Sequence, residues 1–457
     1  MSMFRWDVVD PAPGEAVAPH QRLSWGKTAG LGAQHVVAMF GATFVFPLVM
    51  GLDPNLAIMF SGICTVLFLL VCQNRVPSYL GTSASFVASV AAIRAQGGDS
   101  ADVTGAIMVG GLVLTAVGVL VHVAGARWIH RILPPAVTGA VVMLIGFNLA
   151  PVVAGVYWPE DQWVALATAT FMVVAAVVFP GFWSRIAVFL ALVFGFLVSA
   201  LLDALLGPVE SVIAGSAEAT SHDRVWNWGS VGDAAWVGLP SGELADGVSV
   251  VHGPSIGLTF VLLVLPGVIA LVAENTGHVK AVAEMTGEDL DPYMGRAIGA
   301  DGAATALASA FGGSPTTTYA ENIGVMGATR VYSTAAYYVA AAVAVLLGLC
   351  PKFGAVVNAT PGGVLGGITV VLYGMIGLVG AKIWVENGVD FGDPVNLVGL
   401  SAGLIAGIGG VSLVVTDDFE LGGIALGTIL VIGYFHLVRG RRGPGAGQVT
   451  RNLSQKQ

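Results

Sequence analysis

Apolar runs of about 20 residues, the length a helix needs to cross a hydrocarbon core of about 30 Å, recur along the whole chain. They fall near residues 28–49, 53–73, 79–95, 102–125, 132–150, 161–180 and 182–207, then near 254–276, 293–311, 315–328, 333–350, 361–383, 393–412 and 418–438. The pattern predicts an all-α polytopic membrane protein of fourteen transmembrane segments, seven plus seven, divided by a polar stretch at 208–253. An odd number of spans in the first half turns the second half upside down, the arithmetic of an inverted-repeat transporter.

In each half the third segment is short, polar and rich in Gly, Ser and Thr. These are Pro77-Ser-Tyr-Leu-Gly-Thr-Ser-Ala-Ser-Phe86 and Pro315-Thr-Thr-Thr-Tyr-Ala-Glu-Asn322. Non-helical backbone cannot face lipid, because each unpaired N–H or C=O is too costly there. The two broken segments are therefore expected to face each other inside the protein and line a cavity. The stretch 323–328 reads as a half-helix whose N-terminus offers free N–H groups and partial positive charge to a polar ligand.

Composition supports a membrane class: 55% of residues are hydrophobic and 10% charged, against about 25% charged in soluble domains. The mean hydropathy is +0.82. Residues 1–22 are polar and carry Pro11, Pro13 and Pro19, unlike a cleavable export signal. Cys64, Cys72 and Cys350 lie in or beside apolar segments without CxxC spacing and read as buried small apolar residues. No metal-ligand cluster, nucleophilic grouping or basic nucleic-acid patch stands out. The run Pro361-Gly-Gly-Val-Leu-Gly-Gly-Ile368 lacks the Gly-Lys-Ser/Thr of a phosphate loop and reads as close helix packing or a hinge.

The net charge of −9 matters less than where the cations sit. With the N-terminus inside, sixteen of the 19 Lys and Arg residues fall in the cytoplasmic loops and tails, leaving Arg94, Arg224 and Lys352 outside. This satisfies the positive-inside rule and predicts both termini in the cytoplasm. The 208–253 loop is acidic, as suits an external one.

Ionisable residues within spans are costly and need a partner or a purpose. Glu274 and His278, four residues apart near the cytoplasmic end of the eighth span, share one helical face. Glu321 sits in the second broken segment. An internal ion pair between a Glu and His278 is the bland reading. The functional reading is a neutral planar ligand, whose ring N–H groups two carboxylates accept while backbone N–H groups serve its carbonyls. Gln34 and His35 in the first span read as interhelical hydrogen-bonders beside the site. Asp301 in the ninth is either a second proton-sensitive group or a helix-to-helix hydrogen bond.

These residues resemble the nucleobase–ascorbate transporter family, also called nucleobase–cation symporter family 2. The family signature appears as Glu321-Asn322-Ile-Gly324-Val-Met-Gly-Ala-Thr329-Arg330, joined by the Gln34-His35 pair and the Ala-Glu-x-x-Gly-His run ending at His278. Within the family, the chain most resembles the uracil- and pyrimidine-carrying permeases, through Asp53-Pro-Asn-Leu-Ala, Arg75-Val-Pro-Ser-Tyr-Leu-Gly, Asp291-Pro-Tyr-Met-Gly-Arg and Thr318-Tyr-Ala-Glu-Asn-Ile-Gly-Val-Met. The likeness runs from about Arg22 to Arg439.

The resemblance implies a core domain at 28–125 and 254–350 and a gate domain at 126–207 and 351–438. Tails at 1–27 and 439–457 and the external loop at 208–253 complete the chain. It also implies short antiparallel strands in spans 3 and 10, and a homodimer in a bacterial inner membrane that moves its core in an elevator-like stroke. Glu274, His278 and Glu321 match uracil-binding side chains. Ala84 and Ala320 match residues whose backbone N–H groups hold ring carbonyls, and Tyr319 matches a pocket-lining residue; Asn322 and Asp301 support the site. The expected activity is import of a nucleobase, uracil or another pyrimidine, with a proton taken up by the Glu274/His278 pair. Apart from this coupling ion no cofactor is implied, and the remaining partner is membrane lipid.

Three positions depart from the uracil-permease pattern. Ala84 stands where Phe is common, Ala320 where Gly is common, and Asp301 where Asn is common, the last as in purine carriers. A purine or xanthine symporter of the same fold is therefore the alternative, ahead of an anion carrier or a channel.

Overall fold

The computed structural model describes residues 4–12, 15–125, 127–211, 219–225, 228–416 and 419–441. The predicted segments appear in order as α1 (Trp25–Met50), α2 (Pro54–Val71), β1 (Leu80–Thr82), α3 (Val87–Ala95) and α4 (Ser100–Ala124). The first half continues with α5 (Pro135–Phe147), α6 (Gln162–Val178) and α7 (Ala187–Leu206). The second half holds α8 (Leu258–Thr286), α9 (Asp291–Ser309), β2 (Thr316–Thr318), α10 (Ala320–Thr329), α11 (Thr334–Gly348), α12 (Gly362–Glu386), α13 (Pro394–Ile408) and α14 (Gly423–Arg441).

Helix ends follow local chemistry. The Asp53 side chain accepts from the Leu56 N–H at the start of α2, Asp99 and Asp102 form a reciprocal cap on α4, and Asp161 accepts from Trp163 and Val164 on α6. Among the described residues, eight helices are long and apolar enough to cross a membrane. A ninth candidate is α11 with the short helix Pro351–Asn358, bent by 80°. Helix α9 is long enough but not apolar enough, being made of small residues with Asp291, Arg296 and Asp301 among them. It lies against α4 at backbone contact: a Cβ on Gly118 would sit 2.2 Å from the Gly299 nitrogen, and one on Gly302 2.4 Å from the Thr115 nitrogen.

Packing obeys an internal symmetry. Exchanging each span of the first half with its counterpart seven places on turns α4–α9 into α11–α2, α1–α11 into α8–α4, α6–α7 into α13–α14, and α1–α7 into α8–α14, and all of these pairs are packed. The two broken segments pair with each other as antiparallel strands, Leu80 opposite Thr318, Gly81 opposite Thr317 and Thr82 opposite Thr316. The ladder is extended by Ser83 N–H to Pro315 O (2.9 Å) and Tyr319 N–H to Tyr79 O (3.0 Å).

Three features differ from the sequence reading. Helix α8 runs ten residues beyond the expected end at 276, because Lys280 and Glu284 continue it with polar residues and nothing stops it before Gly287 at φ +69°. Glu274 and His278 consequently lie mid-helix, not near its end. The start expected for the last span, at 418, lies outside the described residues; Ser412–Thr416 and Phe419–Gly422 on either side pair as antiparallel strands, and helix α14 begins only at Gly423. The N-terminal segment is docked: Val17 donates its N–H to Arg330 O and accepts from Tyr332 N–H, each at 2.8 Å, and Trp6 donates to Thr334 Oγ1.

Candidate functional site

The two antiparallel strands lead, from opposite ends of their ladder, into two half-helices. Strand β1 leads through a 3-10 turn, Ala84–Phe86, into α3, and β2 leads through Tyr319 into α10. Neither the Ala84 nor the Ala320 N–H has a hydrogen-bond partner among the described residues, and the N-cap residue Tyr319 provides no side-chain cap. Such unpaired first-turn donors form a site for an acceptor.

Glu274, His278 and Glu321 are brought to the same place. Glu274 Oε2 accepts from Ser85 Oγ at 3.5 Å, which ties it to the turn holding Ala84. Thr318, two residues before Ala320, is 2.7 Å from His278 Nδ1. Glu321 lies in the first turn of α10. Protein surrounds Glu321 at short range, yet it is exposed to water along with Ala320, Gly324 and Gly277, while Glu274, His278 and Ala84 are half-buried. A Cβ added to Gly277 or Gly324 would meet nothing within 4 Å. These residues therefore line an open cavity. Its exposed stripe on α10, Glu321, Gly324 and Ala328, runs towards the Arg330 end of the helix.

The remaining candidates play other parts. Tyr319 is buried, its hydroxyl donating to Thr82 O at 2.8 Å and accepting from Thr43 Oγ1 at 3.2 Å. Its ring covers Gly81, where a Cβ would lie 2.4 Å from the ring carbon. Asn322 Nδ2 donates to His35 O (3.0 Å) and His35 Nδ1 (3.1 Å), joining α10 to α1, and the His35 ring packs on Tyr337. An amide nitrogen only donates, so Nδ1 of His35 carries no proton. Gln34 is half-buried and makes no side-chain hydrogen bond among the described residues. Asp301 is fully buried behind the site, accepting from Asn275 Nδ2 at 2.7 Å and Thr316 Oγ1 at 3.1 Å. Asn275 and Thr318, which the sequence did not single out, stand between Asp301 and His278. Asn275 Nδ2 also donates to Leu271 O at 3.0 Å, and Thr318 Oγ1 donates to Asn275 Oδ1 at 3.2 Å.

No His278–carboxylate ion pair forms among the described residues, nor is any group of three His, Cys, Asp or Glu side chains placed to hold a metal. A bundle with two broken spans meeting at a polar cavity defines a membrane permease, not an enzyme. Residues 26–416 match the Permease family represented by Xan_ur_permease, and the chain belongs to that family.

Among its relatives, the putative pyrimidine permease RutG of Escherichia coli (strain K12) is 43% identical over 90% of this chain and 89% of its own length. The uracil permease of Bacillus caldolyticus is 33% identical over 94% and 95%. In structure the chain is similar to murine Slc26a9, an anion transporter in the inward-facing state, with a TM-score of 0.61 at 12% identity, covering 91% of this chain and 68% of that one. It is also similar to the transmembrane domain of the cyanobacterial bicarbonate transporter BicA, with a TM-score of 0.53 at 13% identity, covering 89% and 96%. These likenesses establish the inverted-repeat fold and a multi-pass membrane protein.

Proposed function

We propose that the chain is a proton-coupled symporter that imports uracil or another pyrimidine across the bacterial inner membrane. The observation that carries this reading is the pairing of two carboxylates, Glu274 and Glu321, with two free N–H groups, those of Ala84 and Ala320, around one cavity. A pyrimidine dione presents two ring N–H donors and two carbonyl acceptors, and this inventory complements it. An anion would meet two carboxylates and be repelled. The uracil and pyrimidine permeases among the relatives support the same substrate class.

Proton coupling is assigned to the Glu274/His278 pair, since His titrates near physiological pH and coupled sites titrate as a unit. With the charge rule placing Arg330 and both termini in the cytoplasm, the cavity opens inwards. Movement of α1–α4 with α8–α11 as a core against a gate of α5–α7 and α12–α14, within a homodimer, would open it outwards. The purine or xanthine alternative draws on the small side chain at Ala84, which leaves room beside the turn.

The test is uptake of labelled uracil into proteoliposomes with and without an inward proton gradient, against unlabelled thymine or xanthine. Gradient-driven uptake blocked by uracil and thymine but not by xanthine supports the pyrimidine reading. Xanthine-driven uptake with no uracil uptake overturns it.

A further inference from the structure

The hydrogen-bond chain behind the cavity has only one consistent direction. Leu271 O is a backbone acceptor that cannot change role, and it lies 3.0 Å from one end of the Asn275 amide, the end that also faces Asp301 Oδ2 at 2.7 Å. That end must be the NH2 group, because a carbonyl there would oppose two acceptors. Asn275 Oδ1 then points at Thr318 Oγ1, 3.2 Å away, and takes its hydroxyl hydrogen. The Thr318 oxygen is left with lone pairs for His278 Nδ1 at 2.7 Å, so the arrangement that leaves no group of the chain unpaired has Nδ1 as the donor.

We propose that Asp301, through Asn275 and Thr318, holds the neutral imidazole of His278 with its proton on Nδ1 and its Nε2 lone pair open to the cavity. Asp301, Asn275 and Thr318 are thus positioning residues of the binding site. The inference rests on the nucleobase reading and deepens it.

The charged groups around His278 are Glu274 one turn earlier on α8, Glu321 on α10, and Asp301 on α9 behind the relay. Among the described residues, helices α3, α4, α5 and α14, which also pack on α8, form no ion pair or hydrogen bond with His278. A neutral His278 therefore adds a third acceptor to the two carboxylates. A pyrimidine dione has only two N–H groups to give. One acceptor is left over unless the site takes up a proton with the base, and burying an unpaired acceptor is costly. The surplus ties substrate loading to a proton without deciding which of the three groups carries it.

The tautomer is readable directly. Full-length protein labelled with 15N-histidine, in bilayers at a pH where imidazole is neutral, gives ring nitrogen shifts that separate Nδ1–H from Nε2–H. The His278 signals, among those of 8 histidines, are assigned by their loss in His278→Gln. The expected result is Nδ1–H in the wild type, a mixture of tautomers in the near-isosteric Thr318→Val, and restoration of Nδ1–H in Thr318→Ser. Uracil binding by calorimetry should weaken roughly five- to tenfold in Thr318→Val and recover in Thr318→Ser. Nε2–H in the wild type, or a Thr318→Val protein with unchanged spectrum and affinity, overturns the proposal. A wild type that shows Nδ1–H but binds no uracil upholds the relay and removes the substrate reading instead.

Discussion

At the residue scale, the groups legible in the sequence were those whose chemistry is expensive where they sit. Glu274, His278, Glu321 and Asp301 stand out because an ionisable side chain in an apolar span demands a reason. Asn275 and Thr318 did not stand out. Hydroxyls and amides are common in helices and broken segments, and only their partners, Leu271 O, Asp301 and His278, reveal the relay. The clue available was that Asn275 adjoins Glu274 and that Thr318 sits two residues before the half-helix.

Roles at this scale can be separated by two amide variants. Glu321→Gln replaces an acceptor with a group that presents a donor to a ring N–H, so uracil affinity should fall by about 1–3 kcal/mol, measured by calorimetry. Unchanged affinity would take Glu321 out of the pocket. Glu274→Gln should retain exchange of uracil down its gradient but lose proton-driven accumulation, and undiminished uphill uptake would refute its coupling role.

At the element scale, apolar length located nearly every segment, because a bilayer-spanning helix must announce itself in twenty consecutive residues. The pairing of the broken segments was legible for the same reason, since backbone that cannot face lipid must find another partner. Elements outside the hydrocarbon obey no such rule. The docked N-terminal segment is held mainly by backbone hydrogen bonds at Val17 and by Trp6 and Phe4 against Tyr338, contacts that leave no period in the sequence. The hairpin Ser412–Thr416 with Phe419–Gly422 was hidden because its apolar residues merge with those of the helix that follows.

Helix contact geometry also escapes sequence reading, since a glycine count does not say which glycines touch. A Cβ at Gly118 would meet the Gly299 nitrogen at 2.2 Å and its Cα at 2.4 Å, backbone atoms that cannot give way, whereas a Cβ at Gly299 would find its nearest atom at 3.7 Å. Gly118→Ala should therefore cost about 1–3 kcal/mol by overpacking, while Gly299→Ala, in the same interface, should be tolerated. Thermal unfolding of the two purified variants distinguishes them, and equal melting temperatures would contradict the backbone contact.

At the scale of the whole molecule, the inverted repeat was visible as an odd number of spans and the acidic loop as a charge pattern. The use made of Arg94, Arg224 and Lys352 was not. Each fastens the long loop. Arg94 pairs with Asp246 at 2.5 Å, and Lys352 Nζ donates to Val231 O and Gly232 O. Burial alone would raise the Asp246 pKa, but hydrogen bonds from Ser100 and Arg94, and from the Val248 and Ser100 N–H groups, hold it at about 2. A depressed carboxyl stabilises the fold fully above its unfolded value of 3.8, and that contribution fades as pH falls through about 2. Asp246→Asn should therefore lower the melting temperature at neutral pH, with the gap to wild type closing on acidification below the unfolded value. A gap that stays constant with pH would mean that the charge of Asp246 contributes nothing.

Arg224 secures the other end of the loop. Its backbone N–H donates to Asp203 Oδ1 at 2.8 Å, its Nε to Asp161 Oδ2 at 2.9 Å, and its guanidinium also reaches Gly207 O. The loop thus grips α6 and α7 through Arg224, and the α4 and α11 ends through Asp246 and Lys352, so it spans both groups of helices on one face. The Arg224–Asp161 pair is only 12% and 10% exposed, and removing one partner of such a pair strands the other's charge. A fully stranded carboxylate would cost about 3–5 kcal/mol. Asp161, however, keeps the Trp163 and Val164 N–H groups of α6, at 3.2 and 3.1 Å, and a carboxylate at a helix N-terminus retains about 0.3–1 kcal/mol from the helix dipole. Arg224→Ala should accordingly fall at or below the low end of that range. Adding Asp161→Asn, which keeps an oxygen for the cap but no charge, should recover part of the loss. Thermal unfolding of the two single variants and the double variant measures this, with uracil affinity at the distant cavity unchanged in all three. If the double variant loses the sum of the single losses, the two side chains are energetically independent, and the ion pair contributes nothing to holding the loop.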